Sequence, residues 1–151
     1  MSSLCLDVVP LGKLADKIGW YENLWQDIQK KNIIILIGHG KFRKEIQRST
    51  KAKNLLLRLE QVGKARSVDE KKFQKVIGEF AREKSAKCKE CDDHHLFAIC
   101  SAGPSQYLVT DDKRLSKCRS KIKKTSLSKH CSFSVIRDGA QYRVHRAKII
   151  R

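Results

Sequence analysis

The distribution of apolar and polar residues along the chain predicts strands separated by helices. Short runs rich in β-branched residues indicate buried strands, and longer segments with apolar residues three or four positions apart indicate helices. The strand candidates are residues 3–9, 33–38, 64–68 and 106–110. The helix candidates are residues 11–32 with a break near Gly19, 39–63, 70–86, 92–102 and 111–122. This order predicts an α/β fold of three layers, α/β/α, with a mostly parallel central sheet.

The last part of the chain, residues 131–150, departs from that pattern. Two β-rich runs flank Asp138 and Gly139, a dipeptide typical of two-residue hairpin turns. We therefore predict a C-terminal β-hairpin at one edge of the sheet. Because the chain has two prolines and no clear linker, residues 1–151 are predicted to form a single domain.

The apolar stretches and the cysteines indicate in which cellular compartment the protein is expected. No stretch approaches the roughly 18 apolar residues that a membrane span needs, and the N-terminus has no signal-peptide pattern, so the cytoplasm is predicted. In that reducing compartment the six cysteines are expected to be buried thiols or metal ligands. Cys5 and Cys100 lie inside apolar runs, which predicts that both are core residues.

The charge of the chain is large and uneven. The formal net charge is +17; residues 113–151 carry 13 Lys/Arg and one acid, Asp138, a net of +12, and residues 1–112 carry the other +5. Such a basic segment suits a polyanion, most simply a nucleic acid. Solubility or an anionic lipid surface would also account for the charge, but a lipid surface does not explain the acids described next.

Acidic residues stand where the predicted parallel strands end. They are Asp7, Glu45 in the helix after the second strand, the pair Asp92 and Asp93 before the fourth strand, and the pair Asp111 and Asp112 after it. Carboxylates at one sheet edge would bind Mg²⁺ or Mn²⁺, and two such ions about 3.5–4 Å apart can activate water against a phosphodiester. Each acid alone also fits a structural role. Asp92 or Asp93 could be a helix N-cap, Asp111 or Asp112 could be another, and Glu45 could pair with Lys41 or Arg48.

The stretch "KCKECDDHH", residues 87–95, also suggests a zinc site. Cys88, Cys91 and His94 would supply three of the four ligands that structural zinc requires. Adjacent residues rarely reach one tetrahedral ion, which weakens the remaining candidates, Cys118, His130 and Cys131. We therefore expect no structural zinc and place His94 or His95 at the rim of a phosphate site. A reversible Cys88–Cys91 disulfide is an alternative.

Three stretches carry a resemblance to a known family: "LCLDVV", "GHGKFRKEIQR" and "DDHHLFAICSAGPSQYLVTDDKRL". Together they resemble the PIN-domain family of metal-dependent ribonucleases, and "LLLRLEQVGKARSV" is similar to small prokaryotic PIN proteins. The similarity covers residues 3–120. It implies a PIN-like fold in which the catalytic and metal-binding acids are Asp7, Glu45, Asp93 and Asp112. Thr110 matches a hydroxyl beside the fourth acid, and Asp92 and Asp111 become secondary candidates.

The resemblance implies an endoribonuclease that hydrolyses phosphodiester bonds with water activated by Mg²⁺ or Mn²⁺. The backbone of RNA, or of DNA, would be held by Lys113, Arg114, Lys121, Lys123 and Lys124. The family often carries a Thr/Ser-Asn type pair after the first acid, where this chain has Val8 and Val9. That departure removes polar support for the metal and favours the alternative, a non-catalytic nucleic-acid-binding module on the same fold. A toxin or RNA-processing role, a neutralising partner protein and a homodimer are all left open.

Overall fold

Five short strands form the central sheet. A computed structural model describes residues 2–87 and 90–151 of the chain. The strands are β1 (Ser2–Leu6), β2 (Ile33–Ile37), β3 (Ala65–Ser67), β4 (Tyr107–Val109) and β5 (Ser134–Ile136). Their order is β3-β2-β1-β4-β5, and every neighbouring pair is parallel.

Eight α-helices connect and flank these strands within the described residues. They are α1 (Val8–Asp16), α2 (Tyr21–Lys30), α3 (Lys41–Gln47), α4 (Thr50–Gln61), α5 (Glu70–Arg82), α6 (His94–Ala102), α7 (Arg114–Ile122) and α8 (Gly139–Ile149), with 3-10 turns at Lys84–Lys87 and Ser126–His130. The segment 39–63, predicted as helical, is two helices, because the hydroxyl of Ser49 accepts the backbone N–H of Ala52 and starts α4 anew.

Burial along the strands shows that helices cover both faces of the sheet. All five residues of β2 and residues 4–6 of β1 are buried, although successive side chains point to opposite faces. The core extends from Leu4 in β1 to Ile149 in α8. The predicted α/β class with a parallel sheet is therefore confirmed. Among the described residues, no helix is both long and apolar enough to cross a bilayer.

The first strand is shorter than the apolar pattern predicted. β1 ends at Leu6, and Val8 and Val9 belong to α1 instead of to a strand that runs to residue 9. Asp7 is the N-cap of α1, with Oδ1 accepting the backbone N–H of Val8 at 2.8 Å. Pro10 fits the first turn of α1, where no intrahelical N–H is required. Asp7 therefore lies at the junction of a strand end and a helix start.

The predicted C-terminal hairpin is wrong. β5 pairs with β4 in parallel, and Asp138 with Gly139 begins α8. Oδ1 of Asp138 accepts the backbone N–H of Gln141 at 2.8 Å, which is an N-cap hydrogen bond. Asp-Gly suits both a turn and a helix start, and here tertiary contacts support the helix. Its Tyr142 hydroxyl and its Arg146 guanidinium both donate to Asp27 of α2.

The strand order places a crevice between β1 and β4. From β1 the chain builds β2 and β3 on one side, and it then crosses to build β4 and β5 on the other. Ligands of open parallel sheets bind at such a reversal, beyond the carboxyl ends of the strands. The N–H of Asp7 donates to the carbonyl of Val109 at 3.0 Å, so the ends of β1 and β4 are adjacent.

Candidate metal centre

Three side chains from three elements converge at this crevice. Asp7 follows β1, Glu45 lies in α3, and His95 lies in the first turn of α6. One carboxylate oxygen from each acid and one imidazole nitrogen all lie within 4.8 Å of one another. Carboxylate oxygen and imidazole nitrogen are both ordinary ligands of divalent metals. The group can therefore hold a divalent cation.

Hydrogen bonds fix the orientation of the Asp7 carboxylate. Oδ1 accepts from the Val8 N–H at 2.8 Å, and Oδ2 accepts from the hydroxyl of Thr110 at 3.1 Å. The Thr110 oxygen itself accepts the N–H of Asp112 at 3.2 Å. The hydroxyl that was expected beside the fourth acid thus also contacts the first.

Crowding of negative charge changes the titration of the acids. Burial raises the pKa of Asp7 above its ordinary value, and the neighbouring charges of Asp112 and Asp111 raise it further. Burial also raises the pKa of Glu45, with a smaller increase from the charges of Asp93 and Asp7. These shifts mean that ionising the carboxylates costs free energy, which a bound cation would offset.

Asp93 lies within this charge cluster, next to a lysine. Burial and then the charge of Asp7 raise the pKa of Asp93. Asp93 occupies the N-cap position of α6, but its side chain makes no capping hydrogen bond. Nζ of Lys41 lies 3.6 Å from Oδ1 of Asp93 and 3.9 Å from Oε1 of Glu45. The pairing of Glu45 with Lys41, predicted as an alternative role, is therefore present.

The fourth acid, Asp112, is held by an arginine. Arg114 donates from Nε to Oδ1 at 3.2 Å and from Nη2 to Oδ2 at 3.1 Å, and these bonds lower the pKa of Asp112. Arg114 also lies 3.4 Å from Oδ2 of Asp92, and Asp111 pairs with Lys13 at 2.6 Å. The charge of Asp112 raises the pKa values of Asp7 and Asp93. The charges of Asp7 and Asp93 raise the pKa of Glu45, so the four predicted acids share one electrostatic neighbourhood.

The predicted nucleic-acid contacts divide into paired and exposed side chains. Arg114 bonds the acids, and Lys121 pairs with Glu90 at 3.1 Å. Lys123 and Lys124 are exposed near the end of α7. Lys113, also exposed, lines an open cleft of about 430 Å³ whose other lining residues are Lys13, Asp111, Arg137 and Asp138.

Part of the basic segment is used inside the fold. The Arg119 guanidinium donates to the carbonyls of Cys131 and Phe133, the second at 2.6 Å. Arg146 pairs with Asp27 at 2.8 Å. The net charge of residues 113–151 therefore exceeds the charge that is free to meet a polyanion.

The cysteines are arranged differently from the predictions. Cys91 and Cys118 form a disulfide, with Cα atoms 5.0 Å apart. The prediction that both residues are thiols or metal ligands is therefore wrong. Because Cys91 is already bonded to Cys118, the alternative Cys88–Cys91 disulfide is wrong as well. The fold brings the loop before α6 onto α7, 27 positions later. Cys88 lies outside the described residues. Cys5 and Cys100 are buried free thiols, as predicted.

The two histidines of "KCKECDDHH" have different surroundings. Nε2 of His94 lies 2.7 Å from the carbonyl oxygen of Ala86, and its ring packs against Phe80. His95 is buried beside Asp7 and Glu45 in the candidate metal centre, not at its rim. The sequence feature that indicates a buried His95 is the apolar helix segment "HLFAICSA", which begins with this residue. Lys41 was foreseen as a partner of Glu45, but its contact with Asp93 was not.

Comparison with known proteins does not extend this description, because no family model, curated protein or solved structure matches the chain.

Proposed function

We propose that the protein is a metal-dependent endonuclease on a PIN-like fold, which hydrolyses phosphodiester bonds of RNA in the cytoplasm. The observation that carries this proposal is the convergence of Asp7, Glu45 and His95 within 4.8 Å at the sheet reversal. Asp93 and Asp112 extend the cluster. Positive charge is supplied by exposed lysines that flank α7, namely Lys113, Lys123 and Lys124.

The side chains present fit a divalent cation. Two carboxylates with raised pKa values flank an imidazole that has no hydrogen-bond partner among the described residues. When bound, Mg²⁺ or Mn²⁺ supplies Lewis acidity towards the phosphodiester and lowers the pKa of water. Asp7, Glu45 and His95 would hold such an ion, and Asp93 and Asp112 would supply further carboxylates to it or to a second ion.

The chain's own residues would orient the reactants. The Thr110 hydroxyl and the Val8 N–H hold the Asp7 carboxylate in one direction before any ligand arrives. Lys41 neutralises Glu45 and Asp93 in the protein alone, and its ammonium would be free to meet phosphate oxygens once a cation takes over that role. Lys113, Lys123 and Lys124 would hold the backbone by displacing its counterions.

One set of contacts favours a second candidate function, a non-catalytic nucleic-acid-binding module. Lys41 lies against Glu45 and Asp93, and Arg114 forms a two-pronged pair with Asp112. Internal cations thus already neutralise part of the acidic cluster. Val8 is apolar at a position where the PIN-domain family often has a polar residue, and this departure also favours the non-catalytic module.

A pair of neighbouring substitutions tests the proposed reaction. Asp93→Asn should abolish Mn²⁺-dependent cleavage of RNA oligonucleotides, and metal-free binding should stay equal or become tighter because a repelling charge is lost. Asp92→Asn is the matched control, since the Asp92 side chain is 56% exposed and pairs with Arg114. It should retain most of the activity.

The assays are gel-based cleavage of RNA and DNA in Mg²⁺ and Mn²⁺, and fluorescence anisotropy in EDTA. Equal cleavage by the parent and Asp93→Asn would show that the activity comes from elsewhere. Tight binding by a parent that cleaves neither RNA nor DNA with either metal would make the non-catalytic module the better assignment.

A further inference from the structure

His95 is a buried imidazole that makes no hydrogen bond to the residues that the structure describes. The residue is 2% exposed, and neither ring nitrogen has a hydrogen-bond partner among the described residues. Leaving a buried polar group unsatisfied destabilises the folded protein. A side chain of this kind persists where something other than a protein hydrogen bond uses the nitrogen.

Two other histidines show how this fold satisfies an imidazole when the role is structural. His94, the adjacent residue, lies 2.7 Å from the Ala86 carbonyl. His130 contacts the Ser101 hydroxyl through Nδ1 and Glu79 through Nε2, both at hydrogen-bond distance. His95 has no such arrangement, and its Nε2 lies 3.5 Å from Oε2 of Glu45.

The position of His95 suits a metal ligand. One of its ring nitrogens lies within 4.8 Å of a carboxylate oxygen of Asp7 and of one of Glu45, and those two oxygens lie within the same distance of each other. A metal binds imidazole through the lone pair of such a nitrogen.

We propose that His95 is a nitrogen ligand of the cation held by Asp7 and Glu45, and that it makes the site select first-row transition ions over Mg²⁺. This inference rests on the proposed function and names the class of metal that serves it. Carboxylate-only sites suit Mg²⁺ and Mn²⁺, whereas imidazole favours later transition metals. The two-carboxylate, one-imidazole set should bind Co²⁺ more tightly than Mn²⁺, and Mn²⁺ more tightly than Mg²⁺.

The test compares metal binding by the purified parent, His95→Asn and His94→Asn. Isothermal titration with Mg²⁺, Mn²⁺ and Co²⁺ gives the three affinities, and thermal unfolding checks that each variant is folded. Even disturbing the surroundings of a metal ligand costs about 10–100-fold in affinity, so His95→Asn should lose at least about 10-fold for Co²⁺ and Mn²⁺. Mg²⁺ affinity should change much less, and His94→Asn should keep the parent's preference.

A spectroscopic readout on the unaltered protein guards against a variant that fails to fold. Co²⁺ bound beside an imidazole should give a hyperfine-shifted, exchangeable histidine N–H resonance, and ¹⁵N-histidine labelling identifies it. That resonance should be absent from the metal-free protein.

The outcomes separate the inference from the proposed function. If the parent binds metals and His95→Asn shows the same affinities, or if the Co²⁺ form has no shifted histidine resonance, His95 is not a ligand. A carboxylate-bound nuclease would still stand in that case. If the parent binds none of the three cations, both the inference and the metal-dependent function fail.

Discussion

The hydroxyl of Thr110 donates a hydrogen bond to Oδ2 of Asp7 at 3.1 Å, across 103 residues of sequence. The same oxygen accepts the N–H of Asp112 at 3.2 Å, and Thr110 is completely buried. One hydroxyl therefore joins the carboxyl ends of β1 and β4 at the place where the acids meet.

Replacing Thr110 with valine should loosen this junction. Thr110→Val preserves the shape of the side chain but leaves the Asp112 N–H without its acceptor and Oδ2 of Asp7 without the Thr110 donor. The free energy of unfolding should fall by about 1–3 kcal/mol, and Mn²⁺ should bind more weakly. Urea denaturation in EDTA and Mn²⁺ titration measure the two effects. Thr110→Ser keeps the hydroxyl and is the control; equal behaviour of the valine and serine variants would contradict this role.

Asp7 should make the metal-free protein less stable as the pH rises. Because its pKa in the folded protein is raised above the ordinary 3.8, the folded state holds the proton more tightly than the unfolded state. The stabilising contribution is present below that ordinary value and is lost as pH rises through the folded pKa. Asp7→Asn retains a good N-cap residue, so its stability relative to the parent should increase from pH 3.5 to pH 7.

Asp27 supplies a control of opposite sign. The hydrogen bond from Arg146 lowers the pKa of Asp27, so its contribution is present at neutral pH and is lost as pH falls through the lowered pKa. Asp27→Asn should therefore become less stable relative to the parent as pH rises. Urea denaturation in EDTA at several pH values measures both trends. If the stability of Asp7→Asn relative to the parent stays constant or falls as the pH rises, the assignment is refuted.

Exposed lysines at the end of α7 should provide nucleic-acid affinity. Lys123→Ala combined with Lys124→Ala should weaken RNA binding and reduce the slope of log affinity against log salt by about 1.4, at about 0.7 per phosphate contact. Removing Lys71 and Lys75, two exposed residues of α5, changes the net charge equally and is the matched control. Fluorescence anisotropy across a salt series measures the slope for the parent and for each double variant. Identical slopes for the two double variants would mean that binding follows net charge alone.

The Cys91–Cys118 disulfide should stabilise the protein by lowering the conformational entropy of the unfolded chain. For a sequence separation of 27 residues, the loop-closure model gives about 3.5 kcal/mol. Reductant should lower the unfolding free energy of the parent by an amount of this order, and Cys118→Ala should be less stable and insensitive to reductant. Cys131→Ala removes a buried free thiol and should remain sensitive. A parent whose denaturation curve is unchanged by reductant would exclude a stabilising bridge.

The amino-acid pattern determined the class of the fold because its signal is local. The run "IIILI" has no polar residue, so both of its faces must be buried, and that requires helices on each side of a parallel sheet. The positions of Asp7, Thr110 and Asp112 at strand ends follow from the same local runs. Asp7 and Asp112 could therefore be predicted to lie at one sheet edge before any tertiary contact was known.

Local sequence could not decide between conformations that use the same residues. Asp138-Gly139 suits a hairpin turn and a helix start equally, and the contacts of Tyr142 and Arg146 with Asp27 favour the helix. Val8 and Val9 suit a strand, but the Asp7 side chain begins a helix there. In both cases the deciding interaction is a side-chain bond that the apolar pattern does not report.

Only the tertiary structure decided the composition of the site. His95 adjoins His94 in sequence, yet one ring reaches a backbone carbonyl and the other faces Glu45, because successive helical residues point about 100° apart. The pairing of Arg114 with Asp112, and of Lys41 with two acids, depends on distances that a charge count cannot contain. Sequence thus determined which chemistry the sheet edge could carry, and packing of α3 and α6 against that edge decided which side chains share it.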